Sequence, residues 1–279
     1  MQSKRSVRII GFIVILLVAL VTTYPLVWML SSSFKEETQI FKNLSLIPKP
    51  PILDNYIVGW QGASGLTFAT YFKNSLFICA LVVFGNLLSC SMAGYAFARL
   101  EFTFKKIFFA LMLVTMMLPM HVTLIPKYIM FFRFGWIDKF YPLIVPAYFA
   151  TQGFFVFLFV QFIRGIPREL DEAAIVDGCS PIQTYTKIIL PLALPALVTT
   201  TIFSFIWTWN DFFSQLIYIS NPAKFPVALG LRAFMDFTSR SAYGQLFAMS
   251  ILSLVPIIIL FISSQKLLIE GIATSGIKG

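Results

Sequence analysis

Four of the twelve acidic residues in this chain, Glu169, Asp171, Glu172 and Asp177, fall within nine positions of the stretch RELDEAAIVDG at 168–178. In a chain whose net charge is +9, carboxylates packed so closely suit charge-assisted hydrogen bonding to the arginine or lysine of a partner. Other residue types that do chemistry are sparse. His121 is the single histidine and builds no metal site alone, and Cys79, Cys90 and Cys179 have neither metal-ligand spacing nor a disulfide framework. Cys79 and Cys90, on one apolar segment, read as small buried hydrophobes. No G-x-x-x-x-G-K-[ST] phosphate loop is present, so the chain has no recognisable means of hydrolysing ATP. The expectation is a chain without catalytic residues, a metal or a cofactor of its own.

The residues around the acids, RGIPRELDEAAIVDGCSPIQTYTKIILP at 164–191, say how they are held. Pro167 starts a helix and cannot continue one. Leu170, Ala173 and Ala174 recur at helical spacing as a narrow face of mostly small side chains. Gly178 fits the left-handed residue that ends such a helix, and Ser180, Pro181 and Gln183 supply a capping box with proline at the first helical position. The result is helix, glycine turn, helix. A solvated amphipathic connector is the plain alternative. Against it, paired alanines allow close backbone approach, the acids defy the preference for positive charge near an inner leaflet, and a short helix capped at both ends is built to be held. An acidic knob of small residues suits a basic cleft in a partner.

The elements that position this loop are membrane helices. Hydrophobic residues make up 58% of the chain and charged residues 12%, about half the charged fraction of a soluble domain. The basic residues punctuate the ends of apolar runs rather than clustering among aromatics, which argues against nucleic acid. A bilayer core takes about 20 apolar residues in helix, and six segments qualify: about 9–31, 74–97, 107–130, 141–163, 192–218 and 244–265. The first follows Lys4, Arg5 and Arg8, is too long for a signal sequence and lacks a small-residue cleavage site, so it reads as an uncleaved anchor. Those three bases, and Arg99, Lys105 and Lys106 against Glu101 in the 98–106 loop, place both termini and the 164–191 loop in the cytoplasm. The expected fold is an all-α, six-span membrane protein forming one domain over 1–279. On the outside lie the 32–73 loop, the 131–140 connection and a 219–243 loop with a short helix at 228–237.

Within the spans, Pro119 kinks the third helix beside Met116, Met117 and Met120, which either pack in the ordinary way or form a movable seal. His121 lies about 22 Å up an ideal helix from Lys106 and reads as an interhelical donor. Asp211 of TWNDFF lies roughly 30 Å along an ideal helix from Pro191, near the outer interface. It reads equally as a helix-end anchor or, with Asn210, as part of a translocation path. Gln152 stands at a mid-membrane level, and a structural hydrogen bond and a substrate contact are equal readings there.

Glu172-Ala173-Ala174-x-x-Asp177-Gly178, then nine residues, then Ile188-x-Leu190-Pro191, resembles the EAA loop of bacterial ABC importer permeases at all of its positions. GYAFARLEF (94–102), LPMHVTLIPKY (118–128), WNDFF (209–213) and GIATSGIKG (271–279) are similar to the maltose-type carbohydrate branch, and to the shorter of its two membrane subunits. The resemblance implies a multi-pass subunit of the bacterial plasma membrane forming half of the pathway for a carbohydrate, a di- or oligosaccharide. It implies a second homologous permease, an extracytoplasmic solute-binding protein meeting the 219–243 loop, and a dimeric cytoplasmic ATPase that binds ATP and magnesium. The acidic loop would be the coupling helix. Glu172 would pair with a base of the ATPase, Ala173 and Ala174 would allow close contact, Asp177 would complete the motif, Gly178 would make the turn, and Gly276 to Gly279 would reach towards the ATPase dimer. The family's sugar-contacting residues form no clear motif here, so Gln152, Asn210 and Asp211 stand as expectations only. An ion- or proton-coupled secondary transporter is the rival. It calls for ionisable groups near the membrane centre and repeats with broken helices. An intramembrane enzyme calls for several histidines and acids at depth, which one histidine does not supply.

Overall fold

Long apolar runs leave the backbone one way to satisfy its own polar groups in lipid, the helix. Among the described residues helix is the only regular structure. The computed structural model describes residues 2–62, 65–235 and 242–276. In chain order the helices are α1 (Gln2–Ser32), α2 (Asp54–Gln61), α3 (Phe68–Arg99), α4 (Lys105–Met117), α5 (Met120–Arg133), α6 (Tyr141–Ile144) and α7 (Gly153–Arg164). After them come α8 (Glu169–Val176), α9 (Pro181–Thr184), α10 (Leu190–Leu192), α11 (Leu194–Trp209), α12 (Phe212–Tyr218), α13 (Val227–Arg232) and α14 (Tyr243–Gly276).

Four stretches, Arg8–Ser32, Phe68–Arg99, Tyr141–Arg164 and Tyr243–Lys266, are long and apolar enough to cross a membrane, and two bent helix pairs raise the number to as many as six. The bent pairs fall on two of the six expected segments, one of them the segment expected to kink at Pro119. The expected 107–130 helix is α4 and α5, parted at Leu118 and Pro119, because proline forces its predecessor into an extended backbone (Leu118 ψ 126°). The expected 192–218 helix is α11 and α12. Its forerunner Pro181–Leu192 meets α11 at 76°, where Pro191 and Pro195 each remove a backbone donor. The 141–163 segment starts as α6, tightens to a 3₁₀ turn at Val145–Phe149 and breaks at Ala150, whose φ of 52° is left-handed, before α7 resumes. The helix expected at 228–237 is α13, and 236–241 lie outside the described residues.

Backbone proximity groups the chain into two compact units. The first comprises residues 1–69 and 230–255. Here α1 shows its apolar side chains on all sides, as a lipid-facing helix does. The 32–53 loop is stitched by polar side chains. Buried Lys35 donates to the Asn43 carbonyl at 2.8 Å, and Asn55 donates to the carbonyls of Ser33 and Lys35 at 2.9 and 2.8 Å. The Glu37 carboxylate accepts from the first backbone N–H groups of α14, at Tyr243 and Gly244, both at 2.9 Å. That satisfies donors which a helix start otherwise leaves unpaired.

The second unit comprises 70–229 and 256–279. Its core joins α3, α7 and α11 through Cys90, Tyr95, Phe155, Phe159, Ile163, Ile189 and Ala196. In lipid the hydrophobic effect does not drive helices together, so small residues that let backbones approach do that work. Gly94 is the tightest case: a Cβ there would lie 2.4 Å from that of Phe159 on α7. Cys79 and Cys90 are buried in α3, as their apolar setting implies.

Candidate functional site

The acidic helix α8 has eight residues, too few to be stable alone. Three devices hold it, two of them local. Glu169, Asp171 and Glu172 stand in its first turn, where negative charge complements the helix dipole. At its end, Gly178 N–H donates to Ile175 at 3.0 Å and Cys179 N–H donates to Ala174 at 2.9 Å, the paired bonds of a Schellman cap. Gly178 itself has φ +74°, so the glycine turn stands as the sequence implied. The capping box that starts α9 is also in place, with Ser180 N–H donating to Gln183 Oε1 at 2.7 Å and Gln183 N–H donating to Ser180 Oγ at 3.3 Å.

The third device is long-range. Arg99, at the end of α3, lies 2.9 Å from Asp171 through Nε, with side chains 6% and 17% exposed. This is a charge contact rather than an aligned hydrogen bond, because the same guanidinium turns its Nη2 to the Ile166 carbonyl at 2.7 Å. One turn earlier on α3, Tyr95 donates to the Pro181 carbonyl at 3.2 Å and packs against Tyr185. Ser91, a further turn back, lies 2.7 Å from the Tyr185 hydroxyl. Ser91, Tyr95 and Arg99 follow each other at helical spacing, one row holding the whole 166–185 segment. GYAFARLEF therefore has a local meaning: Gly94 admits α7, Tyr95 and Arg99 clamp the acidic loop.

With Asp171 turned inward, the remaining groups sort by face. Glu172, Ala173, Asp177 and Gly178 are exposed. Ala174 is 2% exposed and packs inside its own chain, which corrects the reading of the two alanines as one docking surface. The sequence reading also missed that Ile175 and Val176 (87% exposed), three and four residues after Glu172 on α8, and Ile182 (75%) on α9 stand exposed. The exposed surface of this loop thus carries the carboxylates of Glu169, Glu172 and Asp177 together with apolar side chains.

The residues expected along a pathway sit at helix breaks, not inside helices. Exposed Gln152 immediately precedes α7. Asn210 ends α11 with its amide donating to the Ile206 carbonyl at 2.9 Å, and Asp211 caps α12 by accepting Ser214 N–H at 3.0 Å. The ideal-helix arithmetic for Asp211 fails because two breaks intervene; its observed bond is a helix-end anchor. His121, exposed, sets its ring edge-on to Phe213 at 5.6 Å, and the break at Pro119 removes the premise of its helix height too. Met116 packs at Gly153, where a Cβ would meet its Cγ at 2.8 Å, while Met117 is exposed. Aromatics that carried no sequence motif lie beside these breaks: Phe154 and Phe155 contact Trp207 at 5.5 and 5.2 Å, and Phe203 contacts it at 5.8 Å.

Towards the other end of α3, Asn74 donates to the carbonyls of Ala223 and Phe225 at 3.0 and 3.1 Å. Asp138, left-handed at φ 59°, accepts from Ser220 and Asn221 N–H groups and lies 2.9 Å from Lys224 Nζ. The Lys224 ammonium first, and the Asn221 N–H second, hold its carboxyl below the ordinary value. These bonds tie the 131–140 and 219–226 connections into one surface.

Residues 85–273, containing both the clamp and the acidic loop, match the family model described as binding-protein-dependent transport system inner membrane component. The chain belongs to this family. Among relatives of this permease, the arabinooligosaccharides transport system permease protein of Halalkalibacterium halodurans is 34% identical, covering 94% of this chain and 93% of the relative. The trehalose/maltose transport system permease protein of Thermococcus litoralis is 31% identical over 99% of this chain and 98% of its own. In fold, a chain of a bacterial ABC transporter involved in import of the acidic polysaccharide alginate superposes with a TM-score of 0.84, at 22% identity, covering 95% of this chain and 98% of that one. The permease is the membrane component of an ABC transport system and not its ATPase.

Proposed function

We propose that this permease forms half of the pathway of an ATP-driven importer for a carbohydrate, a di- or oligosaccharide delivered by an extracytoplasmic binding protein. The chain is one six-span membrane domain, with both termini and the 164–191 loop in the cytoplasm of a bacterial cell. Its partners are a second homologous permease and a dimeric ATPase that supplies the ATP and magnesium sites. The observation that carries this reading is α8, with Glu172 and Ala173 exposed beside an apolar knob while Arg99 and Asp171 pin the helix from behind. A lever must be held on one side and free on the other. Closure of the ATPases moves α8, the clamp carries that motion to α3, and the membrane cavity changes its access, a two-state element biased by a ligand bound elsewhere.

Relatives named for arabinooligosaccharide and trehalose/maltose transport support the choice of sugar. Half-exposed Phe154, Phe203 and Trp207, near polar Gln152, offer aromatic faces and a hydrogen-bonding amide, the mixed lining that small-ligand sites use. Gln152, Asn210 and Asp211 are proposed for this pathway, with Asp211 acting by holding the α11–α12 break. The bonded 219–226 segment is proposed to receive the binding protein.

The test is a gentle-detergent pull-down of the tagged chain from its native membrane, with the co-purifying proteins identified. Stoichiometric recovery of an ATPase and a second permease is expected, and a trapped binding protein then names the sugar. A chain that purifies alone and transports when reconstituted overturns the reading in favour of a secondary transporter.

A further inference from the structure

Beside the clamp, the ends of α3, α4 and α7 border a second feature. It is a half-open cavity of about 630 Å³ whose lining includes Phe97, Phe102, Phe109, Lys105, Lys106 and Arg164, and also Glu101. We infer that it is a binding site for the headgroup of an anionic phospholipid of the inner leaflet. The inference rests on the proposed topology, which puts the 98–106 loop at that leaflet.

Charge selects the sign of the ligand. Glu101 is consumed by Lys105, 2.9 Å away, and Lys105 also donates to the Leu100 carbonyl at 2.7 Å. Lys106 and Arg164 remain, both exposed, and among the described residues neither forms an ion pair. The Arg164 guanidinium is laid over the Phe109 ring at 5.5 Å, and Phe109 packs on Phe97 at 5.5 Å, which packs on Phe102 at 5.7 Å. A cation over a packed aromatic wall is favoured there before any ligand arrives. The two lysines stand in the first turn of α4, which holds no acid, the reverse of what a helix dipole favours. A phosphate at this place offsets both.

Shape selects a lipid over a free anion. From the cavity an exposed apolar stripe, Phe104, Ile107, Phe108, Leu111 and Val114, runs along α4 at helical spacing. A phosphodiester in the cavity lays its acyl chains along that stripe. Basic pockets between helices at the cytoplasmic surface are suited to such headgroups.

The experiment is native mass spectrometry of the detergent-purified chain with its co-purifying partners. The sample is exchanged into micelles carrying either phosphatidylglycerol or phosphatidylethanolamine. Wild type is expected to retain phosphatidylglycerol in preference, and Lys106→Gln and Arg164→Gln to weaken that retention about fivefold each. Lys139→Gln, at the distant 131–140 connection, is expected to leave it unchanged. Inorganic phosphate at millimolar level is expected not to displace the lipid. Equal retention in the folded Lys106→Gln, Arg164→Gln double variant overturns the inference. So does displacement by phosphate, which would make this a free-anion site, or a co-purifying protein cross-linked through Lys106 in place of lipid. ATPase recovery is scored in the same sample. ATPase without lipid preference defeats this inference alone, and lipid preference without ATPase defeats the importer reading alone.

Discussion

Asp171 and Glu172 are adjacent acids with opposite assignments. Asp171 faces Arg99 and holds α8 in place; Glu172 faces away. Replacing Asp171 by Asn leaves a 6%-exposed guanidinium without its counter-charge. Breaking such a buried pair costs about 3 kcal/mol, expected as a lowered melting temperature with weakened ATPase retention although Glu172 is intact. Gly178→Ala tests the turn separately. No atom lies within 4 Å of a Cβ there, so the cost is the left-handed backbone alone, about 1–2 kcal/mol, and Gly178→Asn should cost less in the same melt. The helix, glycine turn and capping box around the acidic cluster were legible from its residues. Which acid faces inward was not, because an eight-residue helix of acids and small side chains carries too little apolar pattern to mark its buried face, and Arg99 is distant in sequence.

Among the elements, α3 organises the second unit. Asn74 near its start bonds the 219–226 segment and Arg99 at its end bonds the acidic loop, and the two are about 38 Å apart at helical rise, more than the thickness of a bilayer core. Gly94→Val would drive two methyl groups into Phe159 of α7; overpacking of 1–3 kcal/mol and loss of monodisperse protein in size-exclusion chromatography are expected, with Gly94→Ala milder. Towards the other end, Asp138 titrates from a depressed value. Its contribution is therefore present above the ordinary carboxylate pKa and lost as pH falls through the folded value, below about 4. Melting curves of wild type should converge on those of Asp138→Asn below that pH and separate above it; curves that stay apart at low pH contradict the assignment. The existence of each apolar segment was legible from hydropathy. A kink at Pro119 was legible but not its size, and the breaks at Ala150, Ala193 and Asn210 were not, since hydropathy averages over a bend. Distances counted along ideal helices, as for His121 and Asp211, inherit that error.

For the whole molecule, the chain holds no phosphate loop, belongs to the inner membrane component of binding-protein-dependent systems, and presents one clamped acidic helix with an exposed apolar knob. The proposed coupling to an ATPase rests on these features. The most direct measurement is sugar uptake, together with ATPase retention on the purified chain, for Glu172→Lys compared with wild type at equal membrane insertion. The coupling account predicts that both collapse while the variant inserts and folds normally, because reversing one exposed charge touches the partner and nothing inside the chain. Unchanged uptake with the lysine in place would contradict it.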